Sequence, residues 1–344
     1  MSYCTLFYSN YLDKGWCLAE SLNSVDPNSI LYILCMDERC FEILSELGLP
    51  NVQLIQLCQF EDEDLLKVKN SRSLAEYCWT CTAKLIKYVL CTYNEQICTY
   101  VDADMYFYSD PSVLIQEMKQ KGCSVQVVPH RFPKSTRGKL QEKDSGRNCV
   151  QFNTFTKEEK SLNLLETWIN LCLNECSYRI KGDQKYTDCW GDYSFVSICE
   201  NKGAGVAPWN LTSYKLKNNE MYIRKGNQKC NLVFYHFENI VYLDRNTVKI
   251  EPPIQYWRMD YNLIKKLYIP YLIGLESKKD YIEKKYGISV MAKKYSCEKV
   301  GSKRRLLEIL HNNTGSSLPV LIMKINDNIR RHVRGKYSLI HFNT

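Results

Sequence analysis

Short apolar runs alternate with amphipathic stretches from the first residues onward, and this alternation most restricts what the chain can become. Tyr3–Tyr8 is predicted as a strand, and Tyr11–Leu22 as a helix with Leu12, Trp16, Ala19 and Leu22 on or near one face. Ile30–Met36 reads as a buried strand, Glu38–Leu47 as a helix and Val52–Leu57 as a third strand. Three strands joined by two helices imply a parallel sheet with right-handed crossovers, an α/β fold of nucleotide-binding type. With 344 residues the chain can bury a large core, enough for one α/β domain and an appendage.

A second apolar run, Ile97-Cys98-Thr99-Tyr100-Val101, ends abruptly in Asp102-Ala103-Asp104. Carboxylates beyond the end of a buried strand sit at the rim where open α/β sheets bind ligands. One residue apart, Asp102 and Asp104 can share a hard divalent cation, which commonly bridges to phosphates. The competing reading is a solvated turn, since a bare D-x-D is common. The buried strand before it and the aromatic run Met105-Tyr106-Phe107-Tyr108 after it favour the ion.

Other phosphate-binding devices are missing. No G-x-G-x-x-G follows the first strand and no G-x-x-x-x-G-K-[ST] occurs, so a dinucleotide cofactor and a P-loop are both disfavoured. Any phosphate must be held by a metal and by side chains. In the first strand-to-helix turn, Ser9-Asn10-Tyr11 offers an amide and an aromatic ring to a base, with helix capping by Asn10 the plain alternative. Lys84 and Lys87 lie on a helix predicted over Trp79–Tyr93, where one of them can face a phosphate or both can be solvated. The acidic Glu61-Asp62-Glu63-Asp64 suits a helix start.

Further along, Asp110–Lys119 is expected as a helix and Cys123–Val128 as a strand. Arg131–Arg147 has no apolar period and reads as a long loop that covers or receives a substrate. Cys149–Phe155 is a strand, and Thr156-x-x-Glu159 a capping box for a helix reaching about Cys176. A short helix is expected near Tyr193–Cys199, and Leu232–Phe237 is the last clear core strand. His236 within it suits either a third metal ligand or a hydrogen-bonded core residue. Trp190 and Trp209 suit either sugar faces or core.

Seventeen cysteines is an odd number, and many lie inside apolar patterns, so reduced buried thiols are expected. Met1-Ser2-Tyr3-Cys4-Thr5 shows no basic start ahead of an apolar run, and no run approaches a spanning helix, so a cytoplasmic setting is expected. The C-terminal part differs in character. From Gln255 to Thr344 there are eighteen Lys/Arg against seven Asp/Glu, in clusters such as Lys303-Arg304-Arg305 and Arg330-Arg331, after an aromatic helix predicted over Tyr256–Leu275. A peripheral face on anionic lipid at the inner side of the cell membrane and a solvated helical cap both suit this pattern. Nucleic acid is not expected as a partner, because no recognition motif accompanies the charge.

Taken in order, Ser9-Asn10-Tyr11, Tyr100-Val101-Asp102-Ala103-Asp104, Phe152-Asn153-Thr154, Gly182-Asp183-Gln184 and the late His236 resemble the GT-A nucleotide-sugar glycosyltransferases. Glycosyltransferase family 8 is the named family most similar. Glu76-Tyr77-Cys78-Trp79-Thr80 and Gly182-Asp183-Gln184-Lys185-Tyr186 resemble a group of uncharacterised bacterial glycosyltransferase-like proteins. The resemblance covers roughly residues 3–240. It implies a GT-A, Rossmann-like catalytic domain over residues 1–250 and a basic helical region over 251–344. It implies Mn²⁺ or Mg²⁺ on Asp102, Asp104 and His236, with Asn10 and Tyr11 on the base and Lys84 near the donor. Asn153 and the Asp183-Gln184 pair would line the donor sugar. Asp-Gln at that place favours retention, with Gln184 steadying the anomeric carbon and Asp183 orienting substrate, while Asp188 is the candidate base of an inverting reaction; Trp209 is the candidate for a further donor-binding face. The implied partners are a nucleotide-sugar donor, UDP the expected nucleotide, and a glycan or lipid-linked acceptor of bacterial surface polysaccharide synthesis. The chain departs from family 8 at Lys185, where a second Asp is common, and at Phe237-Glu238-Asn239, where a motif with glycine and lysine is expected. A sugar-phosphate nucleotidylyltransferase and a non-catalytic scaffold binding membrane or nucleic acid are the rival readings.

Overall fold

The computed structural model describes residues 1–244, 247–250, 260–288 and 339–341. Strands β1 (Ser2–Phe7), β2 (Ile30–Cys35) and β3 (Val52–Gln56) pair in parallel and are linked by helices α1 (Leu12–Val25) and α2 (Glu38–Leu47). The expected α/β crossover unit is therefore present. Helix α2 begins where Asp37 accepts a hydrogen bond from the Cys40 amide at 2.7 Å, and it ends at Gly48, whose φ of +56° suits a residue without a side chain.

Two short helices, α3 (Leu57–Phe60) and α4 (Glu63–Lys69), lead into α5 (Leu74–Thr92). Asp62 caps α4, as the acidic run implies. Helix α5 starts five residues before the expected Trp79, because Ser73 and Glu76 form a capping box that the apolar period does not register. Then come β4 (Ile97–Val101), β5 (Met105–Phe107), α6 (Ser112–Gln120) and β6 (Val125–Pro129).

Three expectations fail in the following stretch. Within the presumed loop Arg131–Arg147 lies a helix, α7 (Thr136–Ser145), capped by Ser135, which accepts from the Gly138 amide at 3.0 Å. Its residues are polar all round, so no apolar period announces it. After β7 (Asn148–Thr156) comes α8 (Glu159–Asn174), but without the capping box: Thr156 still belongs to the strand, and its hydroxyl faces that of Ser161 at 3.3 Å. The segment expected as a helix near Tyr193–Cys199 instead gives β8 (Val196–Ile198), parallel to β6, because branched side chains there pack on the sheet.

The remaining elements are the hairpin β9 (Tyr214–Lys217) and β10 (Glu220–Ile223), then β11 (Phe234–His236), β12 (Ile240–Asp244), β13 (Thr247–Ile250), α9 (Tyr261–Tyr286) and β14 (Leu339–His341). The main sheet has the order β3-β2-β1-β4-β7-β6-β8, with β7 antiparallel to both its neighbours. On one face α5 and α8 bury Leu85, Ile86, Leu165 and Trp168. Helices α1, α2 and α6 bury Leu18, Ile43 and Leu114 on the other.

A third core lies under α9, where Leu267, Tyr268, Tyr271, Leu272 and Leu275 pack with Tyr235 and Phe237. Pro270 inside this helix removes a hydrogen bond at a cost of about 3 kcal/mol. Burying Leu267, Leu272 and Leu275, at about 1.5–3 kcal/mol each, outweighs that cost. The helix runs eleven residues past the expected Leu275, to Tyr286. The basic clusters Lys303-Arg304-Arg305 and Arg330-Arg331 lie outside the described residues. Among the described residues no helix is long and apolar enough to cross a membrane, and the sixteen cysteines among them are all free thiols.

Candidate active site

The site forms where β4 gives way to β5. The Asp102 amide donates to the Gln151 carbonyl at 3.2 Å, and the Met105 amide closes a turn onto the Asp102 carbonyl at 3.2 Å. Strand β5 then pairs antiparallel with β11, placing His236 opposite Met105, while the Phe237 amide donates to the Asp104 carbonyl at 2.9 Å. Two segments far apart in sequence, Met105 and His236 lying 131 positions from each other, are thus stitched together by backbone hydrogen bonds. As a result His236 Nε2 lies 3.0 Å from Asp104 Oδ1 and 3.7 Å from Asp102 Oδ2.

This trio fits a divalent cation in its donors, two carboxylates and an imidazole. An ion with bonds of about 2.1 Å separates adjacent ligands by about 3 Å, close to the Nε2–Oδ1 distance observed. As the side chains stand they are in direct contact. Among the described residues no group of three or more His, Cys, Asp or Glu side chains stands arranged to hold a metal ion, so the trio would have to open to take one. The chemistry fits, and a bound ion would take the place of the His236–Asp104 hydrogen bond.

Charge is unevenly shared. Burial pushes Asp104 up, but the His236 charge and hydrogen bond outweigh it and hold the carboxyl below its usual range. Asp102 rises to about 6, through burial first, with Asp104 adding to the rise and His236 opposing it. Burial opposes the charge on His236, yet the two aspartates hold its pKa well above that of a free imidazole. Glu238, two residues beyond, is raised by burial and is exposed to the same charges.

Beside the trio lies a second buried polar group. Asp183 is 4% exposed, and its pKa is raised to about 8 by burial and then by the negative charge of Asp102. Its Oδ2 has no hydrogen-bond partner, and neither do the two polar side-chain atoms of the fully buried Asn153. Buried polar atoms are rarely left orphaned, so these suit a polyhydroxylated ligand. Gly182 precedes Asp183 with φ +67°, and a side chain there would strike the ring of Trp79. Gln184 begins a short 3₁₀ turn reaching Thr187.

The other expected site residues divide. Ser9–Tyr11 is a 3₁₀ turn held by Asp37, whose Oδ2 accepts from the Ser9 amide and hydroxyl at 2.9 Å each. Asn10 is exposed and does not cap α1, leaving its amide open to a ligand. Trp209 touches His236 edge-on with ring centroids 5.5 Å apart, while its indole N–H donates to the His130 carbonyl at 2.8 Å. Trp190 is core, packed on Phe155 and Trp168. Lys84 is ion-paired with Asp62, and Lys87 with Glu166. Asp188 Oδ1 accepts from the Arg147 amide at 2.6 Å, so this carboxylate anchors the segment carrying α7.

Three residues that the sequence did not flag matter here. Gln151 Oε1 accepts from His236 Nδ1 at 3.0 Å, Asp37 fixes the first turn, and Lys14 acts on Asp104 with its charge. Gln151 lies two residues before Asn153 in the same strand, so its position was a readable signal. Lys14 carries no sequence signal that separates it from an ordinary helix lysine.

No protein-family model matches the chain. It is 31% identical over 262 residues to the uncharacterized protein YfnF of Bacillus subtilis (strain 168), covering 72% of this chain and 84% of that one. It is 26% identical over 292 residues to the uncharacterized protein YfnD of the same organism, covering 82% and 90%. Among solved structures, the galactosyltransferase LgtC in complex with donor and acceptor sugar analogs is similar with a TM-score of 0.44 and 12% identity, over 70% of this chain and 87% of that one. Mouse xyloside xylosyltransferase 1 is similar with a TM-score of 0.43 and 10% identity, over 69% and 98%.

Proposed function

The chain belongs to the family of Bacillus subtilis YfnF, and we propose that it is a metal-dependent GT-A glycosyltransferase. It would move a sugar from a nucleotide diphosphate, UDP the expected nucleotide, to a glycan or lipid-linked acceptor, with retention, in bacterial surface polysaccharide synthesis. The convergence of Asp102, Asp104 and His236 at the end of β4 carries this reading. Mn²⁺ or Mg²⁺ bound there would offset the negative charge that develops on the departing diphosphate.

The protein's own groups would do the rest. Asn10 and Tyr11 would hold the base, and Asn153 and Asp183 would accept and donate hydrogen bonds to donor-sugar hydroxyls. Gln184, an amide that cannot act as a base, would steady positive charge at the anomeric carbon through its carbonyl oxygen. The basic region over residues 255–344 would meet an anionic membrane surface, which suits a lipid-linked acceptor.

The test is a panel of UDP-, GDP-, ADP-, CMP- and dTDP-sugars incubated with the purified protein and Mn²⁺. Slow release of a nucleoside diphosphate from one of them is the expected result. Release of pyrophosphate from a nucleoside triphosphate and a sugar phosphate would favour a nucleotidylyltransferase. Absence of any metal-dependent nucleotide binding would favour a scaffold.

A further inference from the structure

Lys14 stands in the first turn of α1 and is only 6% exposed. Its ammonium lies 3.6 Å from the centroid of the Tyr11 ring. Burial works against its charge, but Tyr11, Asp104 and Asp13 outweigh it and keep the group protonated. Among the described residues no carboxylate pairs with it within 4.0 Å. Asp104 is engaged by His236 at 3.0 Å, and Asp13 faces Lys279, with Oδ2 and Nζ 3.9 Å apart. Lys279 is itself held by Glu276 at 3.1 Å and sits 3.1 Å from the Tyr242 ring centroid. Asp104 is thus engaged by His236, Asp13 keeps an Oδ1 without a hydrogen-bond partner, and neither carboxylate comes within 4.0 Å of the Lys14 ammonium, so a buried cation is left without an anion in contact. Such a group is costly unless an anion meets it in use.

We infer that Lys14 is a second cation of the donor site and meets the diphosphate between a base at Tyr11 and an ion at Asp104. The inference rests on the function proposed above. Two aspartates balance a divalent ion, so the charge of Lys14 is what remains to attract a diphosphate. The cation–π contact with Tyr11 fixes the ammonium in place beside the residue proposed to hold the base, and Asp104 is near enough to act on it by charge.

Calorimetry in Mn²⁺ tests this with whichever of UDP, GDP, ADP, CDP and dTDP binds tightest, alongside its monophosphate. Lys14→Met should weaken the diphosphate about 10–100-fold and the monophosphate no more than about 3-fold, while Lys14→Arg recovers most of the loss. Mn²⁺ affinity without nucleotide should not fall, because a positive charge has been removed from its neighbourhood. A Lys14→Met protein that keeps the diphosphate-to-monophosphate ratio, or that loses Mn²⁺ itself, overturns the inference. If Lys14→Met does not fold, Lys14→Gln is read by the same criteria. Wild-type protein that binds no nucleoside diphosphate overturns the proposed function and this inference together, and that result is distinguishable because it needs no variant.

Discussion

Gln151 Oε1 accepts a hydrogen bond from His236 Nδ1 at 3.0 Å, so the imidazole presents Nε2 to Asp104 and Asp102. The amide thus sets the orientation of the ring, and with an ion on Nε2 it would keep the remaining proton on Nδ1. Gln151→Leu keeps the volume and removes the acceptor. Mn²⁺ affinity should fall about 10–100-fold, with thermal unfolding little changed, and calorimetry on the folded variant checks it. Unchanged affinity would show that the ring is held in position without this amide.

Of the two aspartates, Asp104 is the one whose carboxyl is held below its usual range, by the His236 charge and hydrogen bond and despite its burial. Asp104→Asn preserves size while removing charge, and should abolish Mn²⁺-dependent nucleotide binding while the protein stays folded. Titration of nucleoside diphosphate with and without Mn²⁺ gives the answer. An unaltered metal-dependent affinity would place the ion elsewhere.

The first half of this architecture was legible because its signals are local. Helix α2 runs over the expected Glu38–Leu47, and the aspartates stand at the end of an apolar strand as anticipated. His236 could be noticed in the sequence, but its meeting with Asp104 depends on the β5–β11 pairing, which no local pattern encodes. Helix α7 escaped because an all-polar helix has no hydrophobic period. Lys84 and Lys14 illustrate the same limit for charges. Both sit on helices near the site in sequence, and only the fold sends one to Asp62 and leaves the other beside Asp104.

His130 provides a pH signature of folding. It is 4% exposed, its ring stacks on Phe132, and burial lowers its pKa to about 4. The unfolded chain takes up this proton near pH 6.5 and the folded chain does not. Stability is therefore fully present above about pH 6.5 and is lost as pH falls towards 4, by about 3 kcal/mol for this group. Urea unfolding across that range should show a smaller loss in His130→Phe than in the wild type. Equal losses would mean that the folded protein lets this ring protonate.

The stereochemical outcome turns on Gln184, Asp183 and Asp188. Inversion needs a carboxylate base on the face opposite the leaving diphosphate, and Asp188 is the carboxylate to consider. Its Oδ1 is occupied by the Arg147 amide at 2.6 Å, and it packs against Gly146, whose φ is +96°. Asp183 is buried with its pKa raised to about 8, a group suited to hydrogen-bonding a sugar hydroxyl. Retention remains open to the protein, because a diphosphate oxygen can take the acceptor proton while Gln184 steadies the anomeric carbon. An α-linked donor should then give an α-linked product. Gln184→Ala should lower kcat about 10²–10³-fold with KM for the donor little changed. Asp188→Asn keeps an acceptor for the Arg147 amide but removes the charge that strengthens that hydrogen bond, so it should cost about 1 kcal/mol of stability without altering the anomer formed. NMR of the product reads the configuration directly. A β-glycoside from an α-donor, abolished in Asp188→Asn, would make Asp188 the base and the reaction inverting.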